Sequence, residues 1–83
     1  MNLDIYKLLD VKIKSIIKIV NEMHELNNIN KTFAFDGSLI KSNGDILVYL
    51  DYEDDNGVHG TDITITTDEI KSLDSIYNKI SNL

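Results

Sequence analysis

Apolar side chains recur through the first third of the chain in alternating steps of four and three. Leu9, Ile13, Ile16, Val20 and Met23 keep this rhythm, which lines one face of an α-helix. The spacing predicts a helix from about Leu3 to Asn28. Asn2 or Asp4 can cap its start, and the cluster Asn27-Asn28-Ile29-Asn30 ends it. The Ile-rich stretch from Val11 to Val20 also alternates in part, as a strand would. The length of the segment and its lack of breakers favour the helix.

Beyond residue 30 the period falls to two. Three strands are expected, joined by turns at Asn43-Gly44 and Asn56-Gly57. Asn-Gly signals a hairpin because a type I′ turn needs positive φ at both central residues. With each Asn-Gly pair as a two-residue loop, Leu39 faces Val48, Phe35 faces Tyr52, Leu50 faces Ile63 and Val48 faces Ile65. Both hairpins then put Val48, Leu50 and Tyr52 on one apolar face with Phe33, Phe35, Leu39, Ile63 and Ile65. In the last segment Thr66 and Glu69 have the spacing of a capping box. Ile70, Leu73, Tyr77 and Ile80 follow on one side of a short helix. The expected architecture is α+β, a single domain over residues 1–83 in the order α-β-β-β-α. Its sheet is a three-stranded antiparallel meander with both helices on one face and the other face open.

The same register fills the open face. Asp36 falls opposite Asp51, and Asp51 opposite Asp62, so three aspartates form one row across the sheet. Glu53 and Asp55 extend the field along the middle strand. At the other end Ile40 faces Leu47, with Tyr49 between them and the acids. Like charges directly opposite one another destabilise a sheet, so such a row makes more sense if a partner supplies the cations.

Charge sharpens this picture. Between Lys41 and Lys71 lie eight carboxylates and no lysine or arginine. The chain carries a net charge of −6, divided as +1 over residues 1–31 and −7 over residues 32–83. All eight bases are lysine. Arginine supplies the planar fork that grips phosphates and base edges, and its absence in an acidic chain argues against nucleic acid as a direct ligand. An acidic surface instead attracts basic protein surfaces and speeds their association.

Other chemistry finds little footing. There is no cysteine, which excludes disulfides and thiolate chemistry. No apolar run reaches the ~18 residues of a membrane span, and no signal peptide is visible, so a cytoplasmic protein is expected. Asp51 to Gly57 superficially resembles a calcium loop, but the sixth position is Asn56 rather than glycine and the flanks read as strands. His24 and His59 are too few and too far apart for a zinc signature; the register sets Asp54 opposite His59 near the hairpin tip, and a local ion pair or plain exposure is the expectation. A flat exposed face offers neither the cleft nor the separated pKa values that acid–base catalysis needs. No enzymatic activity, metal or cofactor is expected. Leu8, Ile19 and Leu26 lie off the main seam of the first helix, and they offer an alternative reading as a protein-interaction or homodimer surface.

Two resemblances bear on this reading. The order α-β-β-β-α resembles that of double-stranded-RNA-binding domains. Those domains start their second helix with lysines that grip phosphates, whereas here the matching positions are Thr67, Asp68 and Glu69. The charge is inverted, so the likeness implies the fold and not the function. In its length, acidity, lack of cysteine and layout the chain also resembles small phage-encoded anti-CRISPR proteins, especially inhibitors of Cas9. That likeness rests on no shared motif. It implies binding to the lysine- and arginine-lined nucleic-acid channel of a CRISPR effector nuclease, in the cytoplasm of the host cell. Asp36, Asp51, Glu53, Asp54, Asp55 and Asp62 would then stand in for phosphates, and Tyr49 would supply an aromatic contact.

Overall fold

Helix α1 spans Leu3–Leu26 in a computed structural model that describes residues 3–83, with side chains from Lys7 onward. Of the two expected caps, Asp4 falls within α1, and Asn2 lies outside the described residues. At its C-terminus α1 closes as the Asn-rich sequence requires. Asn28 takes a left-handed φ of 57°, the Ile29 N–H reaches the His24 carbonyl at 2.8 Å and the Asn28 N–H reaches that of Glu25 at 3.2 Å. This is the Schellman pattern, with asparagine in the place usually given to glycine.

Three antiparallel strands follow, β1 (Thr32–Ile40), β2 (Ile46–Asp54) and β3 (Gly57–Ile65), with β2 in the middle. Helix α2 (Leu73–Ser81) completes the order α-β-β-β-α. Both helices pack on one face of the sheet. The core between them holds Leu9, Ile13, Ile16, Ile17 and Val20 from α1, Phe33, Ile46, Val48, Leu50, Ile63 and Ile65 from the sheet, and Ile76 and Ile80 from α2. The helical stripe of α1 is therefore as expected except at its end. Met23 is exposed, and Ile17 takes a place in the core.

Both hairpin registers differ from the Asn-Gly expectation. In the first, the Lys41 N–H bonds the Asp45 carbonyl at 2.8 Å and the Gly44 N–H bonds that of Lys41 at 3.0 Å. The loop is thus three residues long, Ser42-Asn43-Gly44, with only Gly44 at positive φ (90°). This matches a turn closed by a left-handed glycine rather than a type I′ pair. The longer loop sets Leu39 opposite Leu47 and Ile40 opposite Ile46. Leu39 is consequently on the open face, and Ile40 on the core side, the reverse of expectation. A bulge between Phe35 and Gly37 then inserts Asp36 as an extra residue, and Phe35 falls opposite Leu50 and Phe33 opposite Tyr52. One extra residue reverses the alternation of a strand. The bulge therefore returns Phe33 and Phe35 to the core side after the loop had displaced them.

In the second hairpin Asp55-Asn56 form the loop and Asp54 faces Gly57, whose φ is 109°. The Asp54 carboxylate accepts the Asn56 N–H at 2.8 Å, so a side chain stabilises this turn. The shift from expectation is two residues, which preserves the faces. Val48 lies opposite Ile63 and Ile46 opposite Ile65.

Along the edge strand β1, Asn21 of α1 binds the backbone of Phe33 twice. Its amide donates to the Phe33 carbonyl at 2.9 Å and its oxygen accepts the Phe33 N–H at 2.8 Å. Ser38 donates to Asp10 at 2.9 Å further along the same helix.

The capping-box pair forms, but not at the start of a helix. Thr66 donates its N–H and its hydroxyl to Glu69 Oε1 at 3.0 and 2.9 Å, within a turn that precedes α2. The helix itself begins at Leu73 with Ser72 as its cap, whose hydroxyl accepts the Ser75 N–H. Ile76 and Ile80 are buried, while Leu73, expected in the core, is 48% exposed.

Lys79 of α2 donates to the same Glu69 oxygen at 2.6 Å and to the Thr64 carbonyl at 2.5 Å. It thereby ties α2 to the turn and to the end of β3. The Lys79 ammonium, aided by the Thr66 N–H and hydroxyl, holds the Glu69 carboxyl down at about 2. A carboxyl lowered in the folded state stabilises the fold above its unfolded pKa of 4.5, and that contribution is lost as pH falls through the folded value. In urea melts between about pH 5 and pH 2, the native chain is expected to lose more stability than Glu69→Gln. Parallel acid losses in the two proteins would show that Glu69 makes no such contribution.

Candidate functional site on the open face of the sheet

The face turned away from the helices is built from alternate residues of each strand. Its lateral rows are Leu39–Leu47–Thr64, Gly37–Tyr49–Asp62, Ala34–Asp51–Gly60 and Thr32–Glu53–Val58. The surface runs from an aliphatic end through Tyr49, 39% exposed, to carboxylates. The expected gradation is present, with Leu39 rather than Ile40 at its apolar end.

The row of three aspartates is not. Asp51 sits between Ala34 and Gly60, Asp62 lies beside Tyr49, and Asp36 is the unpaired, exposed residue of the bulge. Each carboxylate on this face has an uncharged lateral neighbour, which avoids the repulsion of like charges set directly opposite. Asp51 and Asp62 are diagonal neighbours, about 7–8 Å apart between their Cα atoms. Glu53 follows Asp51 by two residues on the same strand and the same face.

Small residues shape the surroundings. A Cβ placed on Gly60 would lie 3.7 Å from Asp51 Oδ1, so the carboxylate leans across the glycine and is half-buried there. With Ala34 on its other side, Asp51 borders a shallow hollow of about 160 Å³ that extends over Thr32, Glu53 and Val58. No signal in the sequence singled out Ala34, Gly37, Gly60 or Val58, because their place depends on the true register.

Two further candidates lie elsewhere. Asp54 falls on the helix side of the sheet and bonds His59 Nε2 at 3.1 Å. The Asn56 N–H, helped by His59, lowers its pKa. The expected local pairing of Asp54 with His59 is therefore formed, although the residue laterally opposite His59 is Tyr52. Asp55 is at the loop tip and accepts the Asn30 amide at 2.5 Å. The structure thus brings together Tyr49, Asp51, Glu53 and Asp62, and sets Asp36, Asp54 and Asp55 apart from them.

Cations are directed to the other side. Lys31 lies 4.5 Å from the centre of the Tyr52 ring and 5.7 Å from that of Phe33, and donates to the Leu83 carbonyl. Lys14 sits 5.3 Å over Phe35. Tyr52 continues into a stack on His59, with ring centres 5.0 Å apart. Lys41 alone of these reaches the open face, at its apolar end, where it donates to the Thr64 hydroxyl at 3.3 Å. Among the described residues no ion pair involves Asp51, Glu53 or Asp62. Nor, among them, do three His, Asp or Glu side chains converge as metal ligands.

No described helix is long and apolar enough to cross a membrane. No family model, curated protein or solved structure matches the chain.

Proposed function

We propose that the protein is a non-enzymatic binding module that docks the open face of its sheet onto a basic, nucleic-acid-binding surface of another protein. A CRISPR effector nuclease is the expected type of partner, met in the cytoplasm of the cell that contains it. Asp51, Glu53 and Asp62 would occupy positions that phosphates otherwise fill, and Tyr49 would supply the aromatic contact beside them. The observation that carries this reading is the gathering of three carboxylates on one face with an exposed tyrosine, with no cation among the described residues paired to them. A rigid sheet holds such charges at fixed spacing, so the field is ordered before the partner arrives. Asp36, Asp54 and Asp55 would add to the long-range attraction without lying on the contact surface.

The test is the combined reversal Asp51→Lys, Glu53→Lys and Asp62→Lys, assayed against a purified guide-loaded nuclease. Binding is expected to weaken at least roughly 100-fold, a loss of about 2.7 kcal/mol. Circular dichroism should stay native, since none of the three is in the core. Asp54→Asn, on the opposite face, should weaken binding far less than the triple reversal. Affinity of the native protein should fall steeply as salt shortens the Debye length below ~8 Å, and DNA should compete for the same site. Undiminished binding by the triple variant, together with an affinity flat in salt, would overturn the proposal.

A further inference from the structure

Helix α1 has apolar side chains on two faces, and the fold uses one. The sheet and α2 cover Leu9, Ile13, Ile16, Ile17 and Val20. On the other side Leu8, Val11, Ile19, Met23 and Leu26 are between 41% and 77% exposed. They are not scattered. Steps of three, four, four and seven place Leu8, Val11, Ser15, Ile19 and Leu26 on one stripe, with Met23 on its flank. At 1.5 Å per residue it runs about 27 Å along the helix.

The stripe is complementary to itself when reversed. Turned end for end about the level of Ile17, Leu8 meets Leu26 of a second copy and Ser15 meets Ile19, with Val11 and Met23 on opposite flanks of the seam. The charges follow the same symmetry. Lysines occupy the N-terminal part of α1, at Lys7, Lys12, Lys14 and Lys18, and the last turns carry Glu22 and Glu25. Antiparallel helices bring Lys7 of one copy alongside Glu25 of the other on the same flank, and set Lys12 at the level of Glu22 across the seam. Parallel helices would set lysine against lysine.

We propose that this face of α1 is an interface with a second copy of the chain, the two helices packed antiparallel about a two-fold axis at Ile17. Such an interface is isologous and closes at two copies. One helix face is narrower than the ~800 Å² per partner of a standard interface, so the dimer is reversible and depends on concentration. The surface is distinct from the acidic face of the sheet, and the dimer stands or falls independently of what that face binds.

Sedimentation across a dilution series provides the first measurement. The native chain is expected to move from 9.4 kDa towards twice that mass as concentration rises. Ile19→Lys and Val11→Lys should each remain monomeric, with native circular dichroism because both positions are exposed. Orientation is read by crosslinking, for which the absence of native cysteine is convenient. A mixture of Ser15→Cys and Ile19→Cys chains should form the mixed disulfide faster than either like pair. A chain that stays monomeric at millimolar concentration would overturn the proposal. So would a dimer indifferent to both lysine variants, or preferential pairing of Cys-substituted position 15 with itself.

Discussion

Ile76→Ala is expected to cost about 2–5 kcal/mol of folding stability, while Leu73→Ala, three residues earlier, stays within about 0.5 kcal/mol. Ile76 has no exposed surface and belongs to the core shared with α1 and the sheet, whereas Leu73 is 48% exposed at the start of α2. Truncating a buried isoleucine loses both its transfer free energy and the contacts around the cavity left behind. A domain of this size has in total about 4–12 kcal/mol to lose, so the Ile76 variant should give up a large share of its stability. Urea melts of the two variants check the pair. The comparison is sharp because the hydrophobic rhythm of the sequence places Leu73 in the core. Equal costs at the two positions would mean that α2 packs by that rhythm and not as described.

Replacing Asn21 should be nearly as damaging, for a different reason. Its amide satisfies both polar groups of the Phe33 backbone on the outer edge of β1. Asn21→Leu keeps the volume and leaves an N–H and a carbonyl without partners in a partly buried place. The expected cost is about 2–3 kcal/mol. Hydrogen exchange locates the loss: the Phe33 amide should exchange much faster in the variant than in the native chain. Asn21→Asp retains the acceptor and removes the donor, so it should protect that amide while still lowering stability. Unchanged exchange at Phe33 in Asn21→Leu would show that the edge is protected by packing alone.

Residue pattern was sufficient for the elements and for the side of the sheet that β2 and β3 bury. Val48, Leu50, Ile63 and Ile65 alternate so regularly that a two-residue error in the second loop leaves every face unchanged. The first hairpin was less forgiving. Asn43-Gly44 identifies a turn, but turn residues do not fix whether the loop holds two residues or three, and that difference alone moved Leu39 and Ile40 to opposite faces. Nothing local marks Asp36 as a bulge. Its place follows from two demands met at once, a three-residue loop at one end of β1 and Phe33 with Phe35 in the core at the other. The acidic character of the open face survived these errors because Asp51, Glu53 and Asp62 keep their parity. Their spacing did not, since spacing depends on register. The capping pair Thr66–Glu69 was legible as chemistry and misplaced as structure, because Lys79 draws Glu69 into a turn that stops short of α2.

The two edges of the sheet are unequal, and this limits how it can grow. The free side of β1 is occupied by Asn21 at Phe33 and interrupted by the bulge at Asp36. The side of β3 away from β2 is held at Thr64 by Lys79, and its nine residues are otherwise regular, without bulge or proline. An unprotected strand edge can template another strand, and bulges are one means of preventing it. Here one edge can accept a strand and the other cannot. Edge-to-edge addition through the sheet alone would therefore join β3 to β3 and stop there, with no second sticky end from which a filament could propagate.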